Sequence, residues 1–222
     1  MRLLLTLSPS SQMVPFNHLP ELVSTFHRWV GRDNSVHDGI SLYSFGWLRG
    51  GISTGDALLF LEGATWTISC YDASIAQALL AGIVNDPGVM YDLEVIGAEI
   101  VPEPNFQEEM RFRVLSPVLT RARNEVGKSE ALLWDDPRSS ESLTRVLRHK
   151  LHLAGLDGGH LDSALRFDPS YHRARSKLVR FKNVHFRTSE CPVLFSGTPE
   201  AARVAWLTGA GELTGCGLGA LE

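Results

Sequence analysis

One order of segments occurs twice along this chain, and that repetition restricts the available folds more than any single motif. In the first half, Arg2 to Leu7 reads as a buried strand. A helix follows with Asn17 as its N-cap, tolerates Pro20 in its first turn and ends near Gly31. Leu19, Leu22, Val23, Phe26 and Val30 fall on one apolar stripe of that helix. Residues 40–45, 57–62 and 65–71 read as strands, punctuated by Gly50-Gly51 and Gly63. A second helix begins at about Ser74, carries Ile75, Leu79, Leu80, Ile83 and Val84, and is stopped by Asp86-Pro87-Gly88. Residues 92–101 then return as a strand.

Beyond Pro102-Glu103-Pro104-Asn105, which has the composition of a linker, the order starts again. A strand opens at about Met110, and Asp136-Pro137 leads into a helix bearing Leu143, Val146, Leu147 and Leu151. Residues 178–186 alternate like one arm of a hairpin. Thr198-Pro199-Glu200 supplies an N-cap, a proline at the first helical position and an acidic first turn, with Gly209 placed to end the helix. A short strand over 217–221 would close the unit. Strand, helix, strands, helix, strand is the βαββαβ order of the ferredoxin-like fold. The expected class is therefore α+β, with two tandem ferredoxin-like domains at 1–105 and 106–222. The 222 residues, 44% hydrophobic and 21% charged, suffice for two such cores and exclude a disordered or fibrous chain.

Cys70, Cys191 and Cys216 form no C-x-x-C pair, so neither a disulfide framework nor a cysteine zinc site is suggested. The opening Met1 to Pro9 has too short an apolar run for a signal segment, and no later stretch approaches a membrane span. A reducing, cytoplasmic setting without a membrane partner is expected.

The formal net charge of −4 argues against a protein that coats nucleic acid nonspecifically, but it conceals an asymmetry. Arg166, Arg173, Arg175, Lys177, Arg180, Lys182 and Arg187 lie together against Asp168 alone, a local +6 on an acidic body. Such a strip is the footprint of a protein that grips one polyanion at one place, or the charged outer face of a strand pair.

Chemistry is carried by few residues. His27 lies at the edge of the first helix's apolar stripe, and His37 lies in the loop Asp33 to Gly39. Two imidazoles can serve as base and acid near neutral pH, and either can be an ordinary surface histidine. His149, His152, His160 and Asp162 are spaced in a way that could collect a divalent ion, although basic residues in a last helical turn are expected for dipole reasons, and no metal site is assigned. The C-terminal run places Gly209, Gly211, Gly215, Gly217 and Gly219 within eleven residues. It is neither a Rossmann turn, since no helix can follow, nor a P-loop, since the Lys-Ser/Thr is missing. Glycine at this density lets backbone N–H groups approach a phosphodiester chain, or builds a closing strand with bulges.

Five segments, in this order, carry a family resemblance. They are Val14-Pro15-Phe16-Asn17-His18, Val36-His37-Asp38-Gly39 with Leu42-Tyr43-Ser44, Ser116-Pro117, Cys191-Pro192-Val193, and Gly209-Ala210-Gly211 running to Gly215-Cys216-Gly217-Leu218-Gly219. With them the chain resembles the CRISPR-associated repeat-RNA processing endoribonucleases of the RAMP superfamily, over nearly its whole length. The resemblance implies cleavage of repeats in a CRISPR precursor transcript without a metal or other cofactor, leaving 2′,3′-cyclic phosphate and 5′-hydroxyl ends. It makes His37 and His27 the catalytic pair. It makes Arg111, Arg113, Arg173, Arg175, Lys177, Arg180, Lys182 and the five loop glycines the RNA contacts. Repeat RNA is the implied partner, with an effector complex and a homodimer left open, and a noncatalytic RAMP subunit holding guide RNA is the alternative. Many relatives carry a lysine shortly after the loop histidine; none lies between His37 and Ser44, and Arg28, Arg32 and Arg49 are the candidates to replace it.

Overall fold

The computed structural model describes residues 1–31 and 40–222. The first half runs β1 (Arg2–Leu7), β2 (Ser10–Pro15), α1 (Leu19–Val30), β3 (Tyr43–Phe45), β4 (Ile52–Thr54), β5 (Ala57–Phe60), β6 (Ala64–Cys70), α2 (Ala73–Asn85), β7 (Gly88–Met90) and β8 (Leu93–Ile100). The second half runs β9 (Glu109–Phe112), β10 (Thr120–Arg123), β11 (Ser129–Leu132), α3 (Ser139–Leu153), β12 (Ala164–Phe167), β13 (Arg175–Phe181), β14 (Val184–Glu190), β15 (Val193–Ser196) and α4 (Pro199–Thr208). The chain is thus α+β throughout.

In the first half an antiparallel sheet of order β3-β6-β1-β8-β7 is built around β1. The period-2 alternation of β1 puts Leu3, Leu5 and Leu7 on the covered face, all essentially without solvent contact. Leu22, Phe26 and Trp29 of α1 and Leu79 of α2 close over them, together with Phe45, Trp66 and Ile68. The two helices approach so closely at Gly82 that a Cβ there would lie 2.2 Å from the Trp29 carbonyl oxygen, so only glycine fits. The helix cap falls one residue after the expected Asn17: His18 is the N-cap, its carbonyl accepting from the Glu21 and Leu22 amides. The N-cap of α2 is Asp72, whose carboxylate accepts from the Ser74 amide.

The second half has a sheet of order β12-β15-β9, covered by Leu143, Leu147 and Leu151 of α3 and by Ala201, Ala205 and Leu207 of α4. Thr198 caps α4 through its hydroxyl and Gly209 ends it, as the sequence predicts. Two expectations are corrected. The closing strand over 217–221 is reduced to a single bridge, Leu221 beside Val114, preceded by a 3₁₀ turn over Thr214–Cys216; glycines at positive φ break the strand. Residues 178–186 are parts of two arms rather than one, because the chain turns at Lys182-Asn183 with Lys182 at φ 53°. Strands β2, β4 and β5 form a separate three-stranded sheet, and β10 pairs with β11. Among the described residues no helix is long and apolar enough to cross a membrane.

Candidate functional site

The site begins at the C-terminal end of α4, where the last carbonyls of a helix lack intrahelical partners and carry the negative end of its dipole. Three side chains, two of them cationic, satisfy them. Arg2 of β1 donates to the Trp206 carbonyl at 2.6 Å and lies 3.5 Å over that indole ring, and the Ser44 hydroxyl donates to the Leu207 carbonyl at 3.0 Å. Lys150 of α3 donates to the carbonyls of Thr208 and Gly209 at 2.7 and 3.0 Å and to the Thr214 hydroxyl at 3.3 Å. Thr214 in turn donates to the Tyr43 carbonyl at 3.1 Å. Groups from both halves therefore fix the helix end and the glycine-rich loop that leaves it. Lys150 is fully buried, and burial alone lowers its ammonium to about 7.

That loop packs against the first half. All five glycines are buried. A Cβ on Gly215 would meet the Ser41 hydroxyl at 2.3 Å and the Tyr43 hydroxyl at 2.6 Å; one on Gly217, at φ 78°, would meet the Phe45 ring at 2.8 Å. At Gly209, Gly211 and Gly219 the same position is filled by the carbonyls of Gly219, Leu119 and Ala210. Each glycine is closely packed, and Gly211 and Gly215 also line a cavity.

This cavity, about 400 Å³, is walled by His27, Ser41, Tyr43, Arg145, Lys150 and the loop from Gly211 to Cys216. His27 is half-buried on α1, edge-on to Phe26 at 5.6 Å. Tyr43 stacks on Phe26 at 4.4 Å, and burial, moderated by a hydrogen bond with Ser41, raises its phenol to about 12. It is a core residue and a permanent donor near neutral pH. The Cys216 thiol is raised by burial and pulled back by the Lys182 ammonium. Arg121, which holds Glu212 of the cavity wall, lies 5.9 Å over the Phe186 ring of β14, so the β13–β14 hairpin passes beside this cavity. His37 lies outside the described residues.

The predicted RNA-contact cations divide into two groups. Arg111, Arg113, Arg173 and Arg175 line a separate open cleft of about 540 Å³ with Trp47, Arg49 and Tyr171. Arg111 pairs with Asp168 at 2.6 Å, whose carboxyl is held at about 2 by hydrogen bonds from Ser170 and Arg111. Arg113 pairs with Glu222 at 3.2 Å, and Arg175 pairs with Glu190. Lys177 meets Glu190 at 3.1 Å and sits 4.4 Å over the Trp47 ring. The second group, Arg180, Lys182 and Arg187, is exposed toward and at the hairpin tip with no carboxylate in ion-pair range among the described residues. Trp47 joins the two regions: it lines the cleft while its indole N–H donates to the Gly217 carbonyl at 2.8 Å.

Of the candidates to replace the missing lysine, Arg28 is engaged by Asp86 at 3.0 Å and Arg49 faces the cleft near Glu222, while Arg32 lies outside the described residues. Sequence reasoning missed Lys150 and Arg145. A signal for Lys150 existed, since 143, 146, 147, 150 and 151 form one helical stripe and place a lysine on the buried face.

Comparison with known proteins gives a consistent picture. The chain is similar to a solved structure described as a Cas6-related gene product from Pyrococcus furiosus, with 20% identity, a TM-score of 0.88 and coverage of 100% of this chain and 97% of that one. A structure of a CRISPR associated protein Cas6 gives 21%, 0.82, 100% and 98%. One of an RAMP protein binding different RNA substrates gives 20%, 0.82, 100% and 98%. At these identities the likeness concerns the fold. No curated protein matches the sequence. Residues 101–222, more than half of the chain and the part that carries the arginine cleft, the hairpin and the glycine-rich loop, match the family model described as CRISPR associated protein Cas6, C-terminal, and the chain accordingly belongs to the Cas6 family.

Proposed function

We propose that this chain is an endoribonuclease that cuts CRISPR precursor transcripts within their repeats without a metal ion, leaving 2′,3′-cyclic phosphate and 5′-hydroxyl ends. The architecture of this reading is two tandem ferredoxin-like units meeting after Asn105. The observation that carries it is the His27 cavity: an imidazole, a buried lysine and a surface guanidinium around a space beside a basic hairpin. Such a space suits a phosphodiester. One histidine takes the proton of the 2′-OH preceding the scissile phosphate, and the other gives a proton to the departing 5′-oxygen. His37 joins His27 in this pair on the strength of its motif. The nucleophile is internal to the RNA, so both proton transfers are assigned to side chains.

Recognition falls to Arg111, Arg113, Arg173 and Arg175 in the cleft and to Lys177 and Arg180 on β13 and Lys182 in the turn after it. Folded RNA is gripped chiefly through its phosphates and shape, which suits cations spread over a surface. The glycine-rich loop enters through Gly211 and Gly215 as cavity wall; Gly209, Gly217 and Gly219 support it from beneath. Repeat RNA is the partner this reading requires. An effector complex that keeps the product, or a second copy of the chain, would appear as a change of size in the RNA-bound protein.

The test is incubation of the purified protein with the repeat RNA of its own genome. Cleavage is expected to proceed undiminished in EDTA and to fail when the nucleotide before the scissile bond is 2′-deoxy. Strict Mg²⁺ dependence would overturn the mechanism. Tight binding without cutting would instead make the chain a subunit that holds guide RNA.

A further inference from the structure

We infer that Arg145 binds the scissile phosphate and stabilises the charge that gathers on it during cleavage, an inference that rests on the reading of the His27 cavity as the cleavage site. Arg145 lies on α3, exposed at the surface, and forms part of the cavity wall with His27. Its guanidinium reaches the Ser142 hydroxyl at 3.4 Å, and no carboxylate among the described residues comes within ion-pair range of it.

The neighbouring charges favour an anion there. Glu212, a carboxylate in the cavity wall, is already held by Arg121 through hydrogen bonds of 2.5 and 3.0 Å, so it does not neutralise Arg145. Lys150 also lines the cavity, but its head is buried and tied to two carbonyls and a hydroxyl, so it is not free to pair with an incoming anion. Arg145 is therefore the described cation of this cavity that combines solvent access with a side chain free of an acidic partner.

The chemistry uses such a group. As the 2′-oxygen forms its bond to phosphorus and the bond to the 5′-oxygen breaks, the proton of the 2′-OH passes to the base and the acid's proton passes to the leaving 5′-oxygen. Negative charge builds meanwhile on the non-bridging oxygens. A planar guanidinium can pair two of those oxygens at once, and a donor aimed at developing charge contributes most in a site partly shielded from water.

The experiment measures single-turnover cleavage of repeat RNA at saturating enzyme, beside an equilibrium binding curve, for the parent protein, Arg145→Ala and Arg145→Lys. Arg145→Ala is expected to lower the rate constant about 10²- to 10³-fold, the usual loss for one such donor, with little change in affinity or melting temperature. Arg145→Lys should recover part of the loss, because it keeps the charge without the fork. Added guanidinium ion should partly rescue Arg145→Ala, which a purely structural role would not allow. If the parent cuts and Arg145→Ala cuts as fast at saturation, this inference alone falls, whatever happens to affinity. If the parent protein does not cut repeat RNA at all, the cleavage-site reading falls and takes this inference with it.

Discussion

The arginine cleft and the His27 cavity differ in how their charges are held. The cleft is open, and its guanidiniums are exposed and shared with Asp168, Glu190 and Glu222. Exposed charges of this kind each contribute little and are screened by salt, so the cleft acts through their number. The cavity has fewer groups, but they are constrained: Lys150 is locked to a helix end, Tyr43 is stacked in the core, and the loop is pinned through Thr214. Positioned groups act in proportion to how well they are placed and how little water competes with them. On the proposed function, this difference gives affinity to the cleft and rate to the cavity.

Substitution of the histidines tests that division most severely. His37→Ala should lower single-turnover cleavage about 10²- to 10⁴-fold while repeat RNA binds nearly as well as to the parent, and His27→Ala should do the same. Near-normal cleavage by His37→Ala would end its assignment, and equal losses of binding and rate would turn the residue into an RNA-binding group.

The converse is expected on the basic side. Arg173→Ala combined with Lys177→Ala should weaken binding and make its salt dependence shallower by about 0.7–0.9 in logarithmic slope for each phosphate no longer neutralised, with the saturated rate retained. Glu190→Gln should act oppositely and more weakly, tightening binding by freeing Arg175 and Lys177. A salt titration of the parent and both variants would show whether the cleft and hairpin contribute through their number of charges or are mere surface.

The smallest effect concerns Lys150 and appears in stability. Its folded-state value, about 7, lies below the ordinary 10.5, so between the two the unfolded chain binds a proton that the folded chain does not. Stability from this group must therefore rise with pH across that window, by at most about 1.4 kcal/mol per pH unit. Lys150→Met lacks this dependence. The difference in unfolding free energy between parent and variant should grow in the parent's favour from pH 7 to 9, measured by denaturant titration. A flat difference would mean that the buried amine keeps its proton, and that the cavity floor is as tolerant of charge as the open cleft.

Much of this architecture is legible in the sequence because its causes are local. Thr198-Pro199-Glu200 and Gly209 delimit α4 through rules that need only neighbouring residues, and the alternation of β1 places Leu3, Leu5 and Leu7 in the core. The β13–β14 turn escapes the same reading for an equally local reason. Lys182-Asn183 contains no glycine, and alternation continues across it. The strands of the β2-β5-β4 sheet are only partly visible: β2 is half polar and mostly exposed, and β4 is three residues long.

The sequence by itself determined the α+β class, the concentration of positive charge between Arg166 and Arg187, and the presence of His27 and a glycine-rich run near the end. Tertiary structure alone decided what these do to one another. The glycines were legible as close-approach positions, but that Gly215 and Gly217 pack against Ser41, Tyr43 and Phe45 depended on residues more than 150 positions away. The same holds for Glu190 and Glu222, which temper the arginines, and for Lys150 and Arg145, which join His27 around one space. Spacing along a chain encodes the hydrogen bonds of helix ends and the faces of strands, whereas charge pairing and burial follow distances in space that only the packed chain defines.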